Sequence, residues 1–341
     1  MQSLRFLNRL VHGFSCHGNR MATRSCYSIA ENAELDKNPR IFKKWDDGYI
    51  VRSMTTEDAK QVQRWYADLG TTSRYDLEVI MSTWPRIPGF YIGEIDGEIV
   101  ASATRVLCAD NIFYGSMYYV DPKYRGKALG HRLKNEIAGG HIGKRILTVD
   151  AVIDTLAWRL PQLGYSYVFQ TKRFDKDVDD DLATEPNYDG SIVKAADVSF
   201  GSFIDFDNKY YIQKDFPLRR AFLEKWIAVP GGRSLVAMDT NQNIVGYVCR
   251  RPCFQDNQHQ IGPLYAEDAV TAKALLQAIC TDIKGAKVTI NIWEPNTASL
   301  DIIQTFKFNH VFDVKRFHHN GVPNDFKPQI FAVTSIDVMS Y

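Results

Sequence analysis

The positions of apolar residues between residues 49 and 170 predict an alternation of strands and helices. Residues 49–54 alternate as in a half-buried strand, and Thr55-Thr56 followed by two acids begins a helix. Apolar runs at 90–94 and 98–107 flank Asp96-Gly97, a strong signal for a hairpin turn. The other predicted elements are helices at 75–83 and 153–162 and strands at 112–120, 146–149 and 165–170.

The second part of the chain repeats this order after an acidic, mostly polar stretch at 175–190, which we interpret as a solvated linker. Its strands are predicted at 234–238, 244–250, 260–264, 287–293 and 311–317, and its helices at 221–227, 271–283 and 297–305. The pattern predicts an α/β protein with two mixed-sheet domains. The predicted segments are a tail at 1–45, a first domain at 46–174, the linker and a second domain at 191–335.

A short basic turn connects the strand at 112–120 to the helix that follows it. Its residues are Arg125, Gly126, Lys127, Ala128, Leu129 and Gly130. The first amides of a helix have no intrahelical partner, and the helix dipole favours negative charge there, so this turn can hold an anion. Its small residues leave room for a diphosphate, and its two cations supply countercharge. A basic turn without a ligand is the alternative interpretation.

This turn resembles the acetyl-CoA pyrophosphate loop of the GNAT N-acetyltransferase superfamily, whose pattern is Arg/Gln-x-x-Gly-x-Gly/Ala. Ala128 stands where the first glycine usually lies, a small change unless the position needs a left-handed backbone. The predicted order of elements is also that of a GNAT domain. The resemblance implies acetyl-CoA as co-substrate and no metal. It also implies that the backbone of Tyr119 or Val120 faces the thioester.

The second domain resembles the C-terminal domain of the YitH-type acetyltransferases, which are tandem GNAT proteins. The matching motifs include Phe206-Asp207, Val245-Gly246-Tyr247, Arg251-Pro252 and residues 219–226 and 261–266. Where the basic turn would recur, this domain has Glu267 and Asp268 at a helix start. Two carboxylates there would repel a diphosphate, so we expect this degenerate half to bind no coenzyme A.

The resemblance leaves the acid–base residues open. Many GNAT enzymes use a tyrosine as the acid for the departing thiolate, but Leu160 and Ile303 occupy the corresponding positions. Tyr118 and Asp150 lie at the ends of the two strands that flank the expected cleft, and they are the candidate catalytic residues. A structural role is the alternative for each.

Two residues of the second domain are candidates for the acceptor site. Asp207 and Tyr265 could line a pocket between the domains, where a small amine would bind. His318 and His319 are expected to be solvated.

Composition sets limits on the partners. The 341 residues carry a formal charge of +1, and four arginines lie in the N-terminal segment, so the remainder carries about −3 and nucleic acid is not an expected partner. No apolar run approaches the roughly 20 residues of a membrane span. The six cysteines lack a disulfide or metal spacing, which indicates free thiols in a reducing compartment.

The N-terminal 30 residues contain four arginines, several serines and no acidic residue. This composition predicts a mitochondrial transit peptide, and a disordered tail on a cytoplasmic protein is the alternative.

Taken together, the sequence predicts an acetyl-CoA-dependent N-acetyltransferase that acts on a small-molecule or amino-acid-like amine. The competing hypothesis is a non-catalytic acyl-CoA-binding or sensing module. It is motivated by the absent tyrosine and the degenerate second loop.

Overall fold

The computed structural model describes residues 31–70, 73–138, 143–152, 157–339 and 341. Its α-helices are α1 (Asn32–Lys37), α2 (Thr56–Asp68), α3 (Asp76–Thr83), α4 (Leu129–Ala138), α5 (Phe200–Asp207), α6 (Pro217–Trp226), α7 (Ala269–Cys280) and α8 (Thr297–Thr305). The strands are β1 (Ile41–Lys44), β2 (Ile50–Ser53), β3 (Phe90–Ile95), β4 (Glu98–Ala109), β5 (Ile112–Val120), β6 (Ile146–Val152), β7 (Ser166–Asp177), β8 (Ser191–Lys194), β9 (Arg233–Met238), β10 (Ile244–Pro252), β11 (Gln258–Ala266), β12 (Lys287–Trp293), β13 (Asn309–His319) and β14 (Ile330–Ala332).

The strands of the described chain form a single mixed sheet in the order β1-β2-β3-β4-β5-β6-β13-β7-β12-β11-β10-β9-β8, with β14 beside β11. The predicted mixed α/β class is confirmed, but the two halves share one sheet. Strand β13 of the second half lies between β6 and β7 of the first, and Phe317 is opposite both Val149 and Tyr167. The halves therefore cannot separate without breaking ladder hydrogen bonds.

Local signals explain why the early elements form where the sequence predicts them. Thr55 and Asp58 make a reciprocal capping box at the start of α2, because each side chain accepts a hydrogen bond from the other residue's backbone N–H. The β3–β4 hairpin turns at Asp96 and Gly97, whose φ angles are 50° and 82°. Positive φ at both turn residues is the requirement of a type I′ turn.

The helices of the first half cover opposite faces of the sheet, since successive residues of a strand point to opposite sides. On one face, Leu133 of α4 clusters with Tyr49 and Val51. On the other, α2 and α3 belong to a core that extends into the second half. There Trp84 meets Phe222 edge to face, with ring centroids 5.5 Å apart. The largest core is thus shared by the two halves.

Several element boundaries differ from the sequence-based prediction. The helix predicted at 153–162 is absent from its described part, where residues 157–160 form turns and Pro161 begins a short 3₁₀ helix. Strand β7 continues three residues into the predicted acidic linker, because those residues pair with β12. The predicted tail at 1–45 includes α1 and β1, and Asn32 is buried against the end of α3.

Three elements of the second half were not predicted, namely α5, β8 and β14. The transit-peptide prediction concerns residues 1–30, which lie outside the described residues. Within the described ranges, no helix has the length and apolar character needed to cross a membrane.

Candidate functional site

Strand β5 bends away from β6 at a bulge. Met117 and Tyr118 together face Ala103 of β4, and Met117 has a φ of 49°. A bulge of this kind bends its strand and increases the local twist. The parallel pairing of β5 with β6 ends at Gly115 and Val149. Beyond that point the two strands diverge, and we call the gap between residues 116–120 and 150–152 the first-half cleft.

The basic turn lies at the mouth of the first-half cleft and begins α4. Gly126 and Ala128 have φ angles of 81° and 57°, so both adopt the left-handed region. The sequence analysis expected Ala128 to be a small departure unless its position needs a left-handed backbone, and the structure shows that it does. Alanine pays roughly 1 kcal/mol to adopt it, whereas glycine does so at almost no cost.

The backbone amides of this turn make no hydrogen bond to the described part of the protein. Among the hydrogen bonds of the described residues, none has the backbone N–H of residues 126–131 as its donor, and the first N–H of the helix ladder is that of Arg132. Unpaired amides at a helix start are a site for an anionic oxygen.

The two cations of the turn are exposed, and each makes a cation–π contact with a neighbouring tyrosine ring. Nε of Arg125 donates to the Val120 carbonyl at 3.0 Å, and its guanidinium lies 5.6 Å from the centroid of the Tyr119 ring. Nζ of Lys127 lies 5.1 Å from the ring centroid of Tyr124. Both charges therefore flank the unpaired amides.

Leu129 and Gly130 pack the turn closely against the sheet. Leu129 is buried, and its carbonyl accepts a hydrogen bond from the Tyr49 hydroxyl at 3.2 Å. A Cβ atom on Gly130 would lie 2.5 Å from the Tyr118 hydroxyl and 2.8 Å from a Val120 methyl, so only glycine allows this close approach of α4 to β5.

An aromatic cluster lines the α2 side of the first-half cleft. The ring of Tyr119 lies 4.9 Å from that of Trp65 and 6.2 Å from that of Tyr66. The prediction missed this contribution of α2, although the consecutive aromatic residues at positions 65 and 66 were a signal for it.

Tyr118 lies on the opposite side of β5, beside the turn. Its side chain is 38% exposed, and partial burial raises the pKa of its hydroxyl. At neutral pH the hydroxyl is therefore protonated and can donate a hydrogen bond or a proton.

Asp150 lies at the end of β6 but does not face solvent. Its carboxylate is bound at both oxygens by Arg316 of β13, at 2.9 and 2.8 Å. The Tyr114 hydroxyl lies 3.1 Å from Oδ2. The geometry gives Asp150 a structural role at the junction of the two halves, which is the alternative that the sequence left open.

Asp207 and Tyr265, the predicted acceptor residues, both belong to a closed cluster around Arg219. Asp207 pairs with Arg219 through two contacts of 2.8 and 3.0 Å and accepts a hydrogen bond from Tyr247 at 2.6 Å. Burial raises the pKa of Tyr265 to about 12. Neither side chain reaches solvent, so the acceptor contact predicted for them would require this cluster to open.

The prediction that His318 is solvated is wrong. His318 is buried in β13, and its Nδ1 lies 2.8 Å from the Thr148 hydroxyl. Burial lowers the pKa of His318 to about 4, despite the Asp325 carboxylate 3.7 Å from Nε2.

The described residues contain no group of three His, Cys, Asp or Glu side chains arranged to hold a metal ion. Cys249 and Cys253 are buried thiols, and burial raises the pKa of Cys249 to about 11. Leu160 lies in the turn before the 3₁₀ helix, and Ile303 is buried in α8, so neither position supplies a proton donor.

Comparisons with known proteins agree with this architecture. The Acetyltransferase (GNAT) family matches residues 57–165, and an Acetyltransferase (GNAT) domain family matches residues 213–332. The chain is 27% identical over 280 residues to the holothin acyltransferase of Pseudoalteromonas sp. (strain SANK 73390), covering 81% of this chain and 87% of that protein.

Two solved structures share the fold. A putative acetyltransferase from Pyrococcus horikoshii has a TM-score of 0.67 at 16% identity, with 86% of this chain and 97% of that one covered. A tandem GNAT protein from the clavulanic acid biosynthesis pathway has a TM-score of 0.57 at 12% identity, with 81% and 100% covered. Because a GNAT acetyltransferase family matches each half and one sheet joins them, the chain is a tandem GNAT protein of the acyltransferase type.

Proposed function

We propose that this protein transfers an acetyl group from acetyl-CoA to the amine of a small molecule, with the donor bound in the first half. The observation that carries the proposal is the run of backbone N–H groups from residue 126 to residue 131 without a protein acceptor in the described chain, next to the point where β5 and β6 stop pairing. These amides, with Arg125 and Lys127 beside them, fit a diphosphate in number, charge and position.

The donor's pyrophosphate would bind the amides of residues 126–130. Its pantetheine arm would enter the first-half cleft along β5, where the backbone of Tyr119 and Val120 lacks a strand neighbour on the β6 side in the described chain. An N–H on this strand would polarise the thioester carbonyl, as preorganised donors do in acyl transfer.

The acceptor is an amine in this proposal because an uncharged amine is a good nucleophile for a thioester. Its nitrogen attacks the carbonyl carbon, the C–N bond forms and the C–S bond breaks. The amine gives up one proton to solvent, the thiolate takes one from the proton donor and leaves as the thiol of coenzyme A, and the donor regains its proton from solvent. The Pseudoalteromonas relative is named an acyltransferase of holothin, which supports acyl transfer as the reaction of this chain.

Tyr118 is the proposed proton donor for the departing thiolate. It is the predicted catalytic residue that keeps an exposed side chain, and its hydroxyl lies beside Gly130 at the start of α4. Positioned acids of this kind contribute roughly 10²- to 10⁴-fold to the rate.

A non-catalytic acyl-CoA-binding module is the second candidate, favoured by the leucine and isoleucine at the two usual tyrosine positions. Release of free coenzyme A from acetyl-CoA, measured with a panel of small amines, separates the two. Amine-dependent release supports the enzyme. Saturable binding of acetyl-CoA without release for any amine supports the module.

A further inference from the structure

The second half contains a cleft equivalent to the first. Its strand β11 pairs in parallel with β12 over four residues, as β5 does with β6. Beyond Ile261 the strand bulges at Gly262 and Pro263, which together face Cys249 of β10. This bulge corresponds to the one at Met117 and Tyr118. The gap beyond it, between residues 262–266 and 291–293, is the second-half cleft.

The chain's own C-terminal segment fills the second-half cleft. Strand β14 pairs antiparallel with β11, with Ala332 opposite Leu264 and Ile330 opposite Tyr265. The N–H of Val333 then donates across the cleft to the Asn291 carbonyl of β12 at 3.0 Å. We call residues 329–333 the plug. In the first-half cleft, no described strand takes the equivalent place.

Several groups hold the plug in position. The Asn296 side chain donates to the carbonyls of Pro328 and Ile330, each at 2.9 Å. On the other side, Arg251 donates to the Thr334 carbonyl at 3.3 Å and pairs with Asp76 of the first half. The side chains of residues 330–333 are all buried.

The entrance to the second-half cleft also lacks the charge that a diphosphate needs. Asp268 caps α7 by accepting a hydrogen bond from the Thr271 N–H at 2.8 Å. Glu267 lies next to it and pairs with Lys209 at 3.1 Å. The start of α7 is therefore already capped by a carboxylate, whereas the equivalent position before α4 in the first half carries Arg125 and Lys127.

We propose that the plug is a built-in peptide ligand of the second-half cleft, which confines donor binding to the first half. It adds a strand to the free side of β11 through backbone hydrogen bonds, as in strand-addition complexes, and it buries the apolar side chains of residues 330–333. The inference rests on the proposed function for the identity of the excluded donor. The seating of the plug is independent of that function.

Two measurements on the full chain test this inference. Amide hydrogen exchange should show the N–H groups of Val333 and Ala266 exchanging as slowly as those of the central strands. Calorimetric titration with coenzyme A should give one site per chain. Fast exchange of these amides, or two sites per chain, would overturn the inference. If coenzyme A does not bind at all, the proposed function fails, and the exchange result alone decides the seating of the plug.

A variant distinguishes local displacement of the plug from a general loss of stability. A Cβ atom on Gly262 would overlap the Val333 carbonyl oxygen, so Gly262→Ala should displace the plug and speed exchange of Val333 at least tenfold. Gly201→Ala in α5, where only the Ser199 hydroxyl comes near, is the control and should leave it unchanged. If Gly262→Ala does not fold, Asn296→Ala removes two anchors instead. Unchanged exchange in whichever variant folds contradicts the inference.

Discussion

Arg316 of the second half holds Asp150 of the first through two hydrogen bonds of 2.8 and 2.9 Å, and both side chains are almost completely buried. The guanidinium also lies 5.1 Å from the ring centroids of Trp293 and Tyr341. Burial alone would lower the pKa of Arg316, but the Asp150 carboxylate outweighs it and the pKa is raised. This buried ion pair thus connects β6 of the first half to β13 of the second half.

Replacing Asp150 with alanine should destabilise the fold by about 3–5 kcal/mol, because the buried guanidinium of Arg316 loses both hydrogen bonds and keeps only the Asp325 carboxylate, 3.6 Å away. Urea denaturation measures this loss. Asp47→Ala is the matched control, since Asp47 pairs with Arg132 at the surface, where solvent screens the pair and its loss should destabilise the fold far less. If Asp150→Ala keeps wild-type stability and loses only turnover, Asp150 is catalytic rather than structural.

His318 should make stability depend on pH. Its pKa is about 4 in the folded protein, against an ordinary value of 6.5, so the folded state favours the neutral ring. The resulting stability is present above pH 6.5 and is lost as the pH falls towards 4. The loss amounts to roughly 3 kcal/mol at most.

Unfolding by urea between pH 4 and 8 measures this dependence, and His318→Gln should flatten it. His310→Gln is the control, because His310 is largely exposed beside Asp313. Equal slopes in wild type and His318→Gln would show that other groups are responsible.

Much of the fold could be predicted from the sequence, because its signals are local. Apolar periodicity located most strands and helices of both halves, and Asp96-Gly97 fixed the first hairpin. The turn at residues 125–130 was also visible, since a basic segment of small residues between a strand and a helix is typical of an anion-binding loop.

The relations between the halves could not be predicted, because they depend on contacts between distant residues. Nothing near Arg316 in sequence indicates Asp150 as its partner, 166 residues away. The pairing of β13 with both β6 and β7 is equally non-local. A three-residue strand such as β14 is also too short to show periodicity. The acid–base prediction for Asp150 therefore lacked the information that decides its role.

Ala128→Gly should leave the fold intact and stabilise it by up to about 1 kcal/mol. Alanine at a φ of 57° is strained, and glycine removes that strain at some cost in unfolded-state entropy. Thermal unfolding measures the change. Ala298→Gly in α8 is the control, and it should destabilise by about 1 kcal/mol because a helical glycine has no such compensation. Equal losses in both variants would contradict the strain at Ala128.

Tyr118→Phe should lower the turnover number by roughly 10- to 100-fold and leave the affinity for coenzyme A within about twofold, if the hydroxyl protonates the thiolate. The comparison is with Tyr124→Phe, whose hydroxyl bonds to Glu98 on the outer side of the turn. A loss of affinity without a loss of turnover would instead identify Tyr118 as a donor contact.

The most direct test of the account is calorimetric titration of the protein with coenzyme A. The wild type should bind, and Arg125→Glu should weaken binding at least about 100-fold, because it replaces a cation beside the unpaired amides with a repelling carboxylate. Lys44→Glu, an exposed charge reversal on β1, is the control and should bind as the wild type does. No binding by the wild type, or equal binding by Arg125→Glu, would contradict a donor site at this turn.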